Sequence, residues 1–160
     1  MSTDPLAFFI TWTVYGTFLP GDLRGWTARN QGKQAPRPQL AVWHRDRLKH
    51  SIELLTEINR QCLAKAILEF GDEKGWKVWV ANPRSNHVHV VVSAVGYSGG
   101  IVRDQLKARC TRELRKIEMR FCDRPVWTRG GDWQPLFNED ALEDCVIYAS
   151  EAQDRKDRDR

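Results

Sequence analysis

The sequence predicts an α+β fold built on an antiparallel sheet of four to five strands. Three observations lead there. Runs of β-branched and aromatic residues with period-two alternation occur at 8–15, 76–81 and 87–93. Two long stretches with apolar residues near helical spacing fall after the first run and after the third. The resulting order is strand, helix, strand, strand, helix, strand, helix. Its first six members form the β-α-β-β-α-β series of a ferredoxin-like sandwich, with helices on one face of the sheet. The seventh is a C-terminal helix carrying a tyrosine.

The elements follow in order. Phe8-Phe9-Ile10-Thr11-Trp12-Thr13-Val14-Tyr15 is the first strand, with Phe8, Ile10, Trp12 and Val14 on one face. Leu19 to Trp26 is a turn-rich loop in which Arg24 and Trp26 offer a cation and a stacking plane, although an ordinary connector pinned by Trp26 fits equally. Residues 27–38, with Arg29, Lys33 and Arg37 and little apolar bulk, read as a mobile basic loop. A helix is expected from Arg45 to Phe70, with Leu48, Ile52, Leu55, Ile58, Cys62, Ala66 and Leu68 inward and His44 and His50 at its start.

Gly71 to Gly75 is a turn, Trp76 to Ala81 the second strand and Asn82-Pro83-Arg84-Ser85 a tight turn into the third strand, His87 to Ser93. A helix over 101–121 follows, with Ile101, Leu106, Cys110, Leu114 and Ile117 inward. Its remaining face is rich in Arg and Lys, among them Arg103 and Lys107. That face suits a phosphate backbone, and equally a plain solvated surface. Pro125 to Phe137 gives two short extended pieces around Gly130-Gly131, the first holding Arg129. Asn138 caps a last helix, about 139–153, with Leu142, Val146 and Ala149 on one side and Tyr148 beside them.

Composition bounds the function. A chain of 160 residues forms one domain, taken here as 1–153, and the tail 154–160 alternates Asp with Arg or Lys and is expected to be disordered. No apolar run approaches the roughly 20 residues that span a bilayer, and no leader pattern opens the chain, so a cytoplasmic protein without a membrane partner is expected. Cys62, Cys110, Cys122 and Cys145 form no Cys-x-x-Cys pair and read as reduced thiols. A net charge of +4 permits nucleic-acid binding, and seven tryptophans supply candidates for base stacking.

The chemistry centres on Asn86-His87-Val88-His89-Val90-Val91-Val92. In a strand, residues two apart share a face, so His87 and His89 stand side by side and can offer two nitrogens to one divalent ion. This pattern, with Tyr148 in Val146-Ile147-Tyr148-Ala149-Ser150-Glu151-Ala152-Gln153, resembles the single-tyrosine branch of the HUH endonucleases. The loop from Tyr15 to Gly25 and the segment Trp127-Thr128-Arg129-Gly130-Gly131 are similar to the REP-associated tyrosine transposases, so the resemblance spans roughly residues 7–153.

The resemblance implies a transposase that nicks and rejoins single-stranded or hairpin DNA. Tyr148 would be the nucleophile, with a 5′-phosphotyrosine intermediate, Mg²⁺ or Mn²⁺ as cofactor and a homodimer as the assembly. A free phenol titrates near pH 10, so it needs such help to attack a phosphodiester. The family's third metal ligand comes about one turn after the tyrosine, where this chain has Ala152. Gln153 matches the family's ligand type but lies about 140° around a regular helix from Tyr148, whereas Glu151 lies about 60° away. Gln153 is the first choice and Glu151 the alternative. DNA contacts are expected from Arg24, Trp26, Arg29, Lys33, Arg103, Lys107 and Arg129. A nucleic-acid-binding module with a decayed metal site, or a metal-dependent nuclease without covalent tyrosine chemistry, would use many of the same residues.

Overall fold

In the computed structural model, residues 4–28 and 31–153 are described. The main sheet has four strands, β1 (Ala7–Thr13), β4 (Lys77–Pro83), β5 (His87–Ser93) and β6 (Asp132–Leu136), in the order β4-β5-β1-β6. All neighbours are antiparallel, so the order is that of a ferredoxin-like sheet. A small hairpin, β2 (Trp26–Ala28) with β3 (Gly32–Gln34), and a short helix, α1 (Pro38–Asp46), lie between β1 and α2 (Glu57–Lys74). Helix α3 (Gly99–Ile117) joins β5 to β6, and α4 (Glu139–Glu151) ends the described chain. The expected α+β class holds. Among the described residues no helix is long and apolar enough to cross a membrane.

Alternation along the strands sorts the layers. Phe8, Ile10, Trp12 and Val14 of β1 join Val88, Val90 and Val92 of β5 on one face, where Leu63 and Ile67 of α2 and Val102, Leu106, Cys110 and Leu114 of α3 cover them. Burying each such side chain fully contributes about 1.5–3 kcal/mol. The opposite face carries Ala7, Phe9, Val80, Val91 and Leu136, against which α4 lays Leu142, Cys145, Val146 and Ala149. Three layers result, with α2 and α3 on one face of the sheet and the tyrosine helix on the other.

Several boundaries differ from the expected ones for identifiable reasons. The segment 27–38 contains the β2–β3 hairpin and the start of α1. The single helix expected over 45–70 is two helices. Thr56 ends the intervening irregular stretch through a reciprocal cap, accepting from the Asn59 amide while Asn59 Oδ1 accepts from the Thr56 amide. The inward stripe of α2 is Asn59, Leu63, Ala66, Ile67 and Gly71, and Ile58 and Leu68 face out. A buried asparagine and a glycine interrupt the apolar pattern and shift its apparent phase. In α3, Val102 replaces Ile101 inside, and Ile101 and Ile117 are exposed. Gly99 opens that helix because the Trp133 ring lies against it, and a Cβ there would sit 2.3 Å from the ring.

One irregularity positions the site. The β4–β5 register passes from Val78↔Val92 to Val80↔Val91, leaving Trp79 as an extra residue. A bulge of this kind reverses which face the following residues occupy. Val78 therefore packs with the α2–α3 core, whereas Val80 packs on the α4 face.

Candidate active site

His87 and His89 lie on the α4 face of β5, 2% and 8% exposed, with ring centroids 4.5 Å apart. Each ring is held at Nδ1. Asn86 Oδ1 lies 2.6 Å from His87 Nδ1, and Thr11 Oγ1 lies 2.8 Å from His89 Nδ1. With Asn86 Oδ1 as acceptor, the matching neutral tautomer of His87 carries its proton on Nδ1 and its lone pair on Nε2. This is the arrangement by which a partner behind an imidazole orients it toward a metal. Asn86 is itself fully buried and pinned, its carbonyl accepting from the Val14 amide at 2.9 Å.

Tyr148 reaches this pair from within the same chain. Asn138 caps α4 by accepting from the Ala141 amide at 2.8 Å, and Ala149, fully buried, seats the last turn on the sheet. The Tyr148 ring then packs 6.0 Å from the His89 ring and 5.8 Å from Phe9, while half the residue stays open to solvent. Tyr15 instead meets His50, and Tyr97 meets Trp76. The helix stops at Glu151, and Ala152 turns to an extended backbone. Helical angles therefore do not govern Gln153, whose Oε1 accepts from Arg84 Nη2 at 3.1 Å, just before the histidine strand. Glu151 is exposed in the last turn.

The donor set the sequence offers is two imidazoles on β5 and, just after Tyr148, the Glu151 carboxylate and the Gln153 amide. Among the described residues no group of three His, Cys, Asp or Glu could hold a metal ion. An amide such as Gln153 falls outside that set of donor types. Two nitrogens and one oxygen suit Mn²⁺ better than Mg²⁺, which prefers an all-oxygen shell.

The basic residues singled out for DNA divide into two groups. Arg24 is held inside its loop by the Asp22 carboxylate at 2.5 Å and the Thr17 carbonyl at 3.0 Å. Arg103 donates to the Gly131 carbonyl at 2.9 Å, and Lys107 Nζ to the Thr128 and Gly130 carbonyls at 3.0 and 2.6 Å. Burial, and then the nearby Arg103 charge, push Lys107 down to about 8. These cations pin loops from inside. Trp26 donates to the Ala35 carbonyl at 3.0 Å, whereas Lys33 and Arg129 are exposed. Elsewhere on α3, Arg109 is paired with Glu73, and Arg115 donates to the Phe121 and Arg124 carbonyls. Arg29 and the tail 154–160 lie outside the described residues.

Sequence reasoning missed Thr11, Asn82 and the role of Asn86. Thr11 and Asn82 are the cross-strand partners of His89 on its two sides, and Asp132 faces Thr11 on the next strand. A polar row thus crosses all four strands. The polar positions alternating along β1 were its available signal, but the partner strand could not be read without the register.

No protein-family model matches the chain, and no curated protein matches it. Among solved structures, a crystal structure from Deinococcus radiodurans R1 known as a "putative transposase" is similar over 96% of this chain and 95% of that one, with a TM-score of 0.48 and 9% identity.

Proposed function

We propose that this protein is a metal-dependent endonuclease and strand transferase for single-stranded or hairpin DNA, acting through a covalent phosphotyrosine at Tyr148. One observation carries the reading: the only tyrosine on a late helix packs on His89, a member of a buried, oriented histidine pair of its own chain. In the reaction the Tyr148 oxygen attacks phosphorus and gives up its proton. The bond to the 3′ oxygen breaks, and that oxygen leaves as a 3′-hydroxyl. The new phosphodiester keeps the 5′ end on the protein, so its bond energy is conserved for rejoining to another 3′-hydroxyl. His87, His89 and Gln153, with Glu151 as the alternative, would hold Mn²⁺ or Mg²⁺. The ion would supply Lewis-acid polarisation of the phosphate.

The chain's own groups supply orientation. Asn86 and Thr11 fix the imidazoles, and Phe9 and Ala149 fix the tyrosine helix. Lys33 and Arg129 are the exposed members of the predicted set among the described residues. Because tyrosine and histidines share one chain, each site of a homodimer would be complete in itself, and dimerisation would serve to bring two DNA segments together. The test is a labelled hairpin oligonucleotide incubated with the protein and Mn²⁺, then run on a denaturing gel. A protein–DNA adduct that vanishes in Tyr148→Phe supports strand transfer. Cleavage that survives Tyr148→Phe excludes it.

A binding module is the second reading. It is favoured by the Arg84 guanidinium engaging Gln153 Oε1, the oxygen a metal would need. Tight hairpin binding without cleavage in the same assay would select it.

A further inference from the structure

We propose that Asn82 is a positioning residue, one that sets where Tyr148 stands relative to His89; the proposal rests on the phosphotyrosine reading above. Asn82 is the direct cross-strand partner of His89. The bulge at Trp79 places it on the α4 face, where its Nδ2 donates to the Ala149 carbonyl at 2.8 Å and the Ala152 carbonyl at 3.2 Å. These carbonyls belong to the residues one and four places after Tyr148. A single amide thus joins the histidine strand to the backbone that carries the tyrosine.

At this end helix α4 is otherwise held by side-chain packing on the sheet and by the Arg84–Gln153 hydrogen bond. Its last carbonyls lack intrahelical partners, as at any helix C-terminus. No basic residue lies in its last turn, and Ala152 takes an extended conformation, not the left-handed one of a glycine cap. Glu151 adds a negative charge at the negative end of the helix. Ala149 is the only fully buried residue of α4, and its small side chain gives a seat without a lock. A packing role alone would be met by an apolar residue, as Val80 does two positions earlier on the same face. The asparagine supplies direction: two donors aimed at two carbonyls fix the height and the rotation of the last turn. Tyr148, half exposed, is itself held through ring contacts with Phe9 and His89.

The experiment compares wild type with Asn82→Asp, which keeps the shape but replaces the donor by an acceptor. Asn82→Ser serves as a second variant should the first fail to fold. The metal-free readout is the NMR shift of the His89 ring protons, which feel the ring currents of Tyr148 and Phe9. Hydrogen exchange of the 149–153 amides is followed alongside. The kinetic readout is adduct formation with saturating hairpin DNA and Mn²⁺.

Loss of the anchor moves the His89 shift toward its value in Tyr148→Ala and speeds exchange at 149–153. It slows adduct formation on the order of 100-fold, as misplacement of a nucleophile by about 1 Å does, with hairpin affinity unchanged. A His89 shift and an adduct rate equal to wild type overturn the proposal. If wild type forms no adduct, the covalent reading fails by itself, and an unchanged His89 shift still refutes the positioning role.

Discussion

Replacing Thr11 by valine removes one hydroxyl and tests whether the group behind His89 matters. Thr11 Oγ1 lies 2.8 Å from His89 Nδ1, and the two residues are cross-strand partners. Valine keeps the branched shape and the strand preference, so the change is confined to the hydrogen bond. Loss of one such bond costs about 0.5–1.5 kcal/mol of folding stability. Loss of a partner that orients a metal-binding imidazole typically costs about 10–100-fold in affinity, or roughly 1.4–2.8 kcal/mol. The assay is a calorimetric Mn²⁺ titration of wild type, Thr11→Val, Thr11→Ser and His89→Ala. Thr11→Val should bind more weakly by that factor, Thr11→Ser should retain most of the affinity, and His89→Ala should lose it. Wild-type affinity in Thr11→Val beside lost affinity in His89→Ala would refute the claim that the Nδ1 contact prepares the ring.

Two further predictions rest on other parts of the molecule. Mixing His87→Ala protein with Tyr148→Phe protein should leave adduct formation absent, because tyrosine and histidines meet within one chain; recovery in the mixture would mean that the helix serves a partner. Glu118 lies in a network in which Arg120 Nε donates to it at 2.6 Å and Asn59 Nδ2 at 2.7 Å. Arg120 and then Asn59 hold its carboxyl below the ordinary value of 4.5. A lowered carboxylate stabilises the fold above its unfolded pKa, and that contribution is lost as pH falls through the folded value. Glu118→Gln should therefore be less stable near neutral pH and show a shallower loss on acidification below about 4.5, read by urea unfolding across that range. Parallel acid profiles would contradict the assignment.

Much of this architecture was legible because alternation is a strong signal. Phe8, Ile10, Trp12 and Val14 announced their face, and the spacing of His87 and His89 placed both on the other. The helix phases were less legible. Buried Asn59 and Gly71 do not look like core residues, and the reasons for their burial, a cap network and a close approach of Val78, are tertiary. The basic residues hold structural positions that the sequence does not show. Arg24, Arg103 and Lys107 look like a phosphate-binding set in sequence, but a cation near glycine-rich loops satisfies carbonyls just as readily. The contributions of Thr11 and Asn82 depend on strand register, and for Asn82 on a bulge that shifts the face by one residue. Nothing local in Lys77–Pro83 marks that shift.

The most direct test of the tyrosine mechanism is to locate the covalent bond. The protein is reacted with hairpin DNA and Mn²⁺, the DNA is trimmed with nuclease, and the peptides are analysed by mass spectrometry. Attack by the tyrosine beside the histidine pair predicts a nucleotide mass on the peptide containing Tyr148 and none on the peptides containing Tyr15 or Tyr97. Cleaved DNA with every tyrosine unmodified, or a nucleotide on Tyr15 or Tyr97, would contradict it.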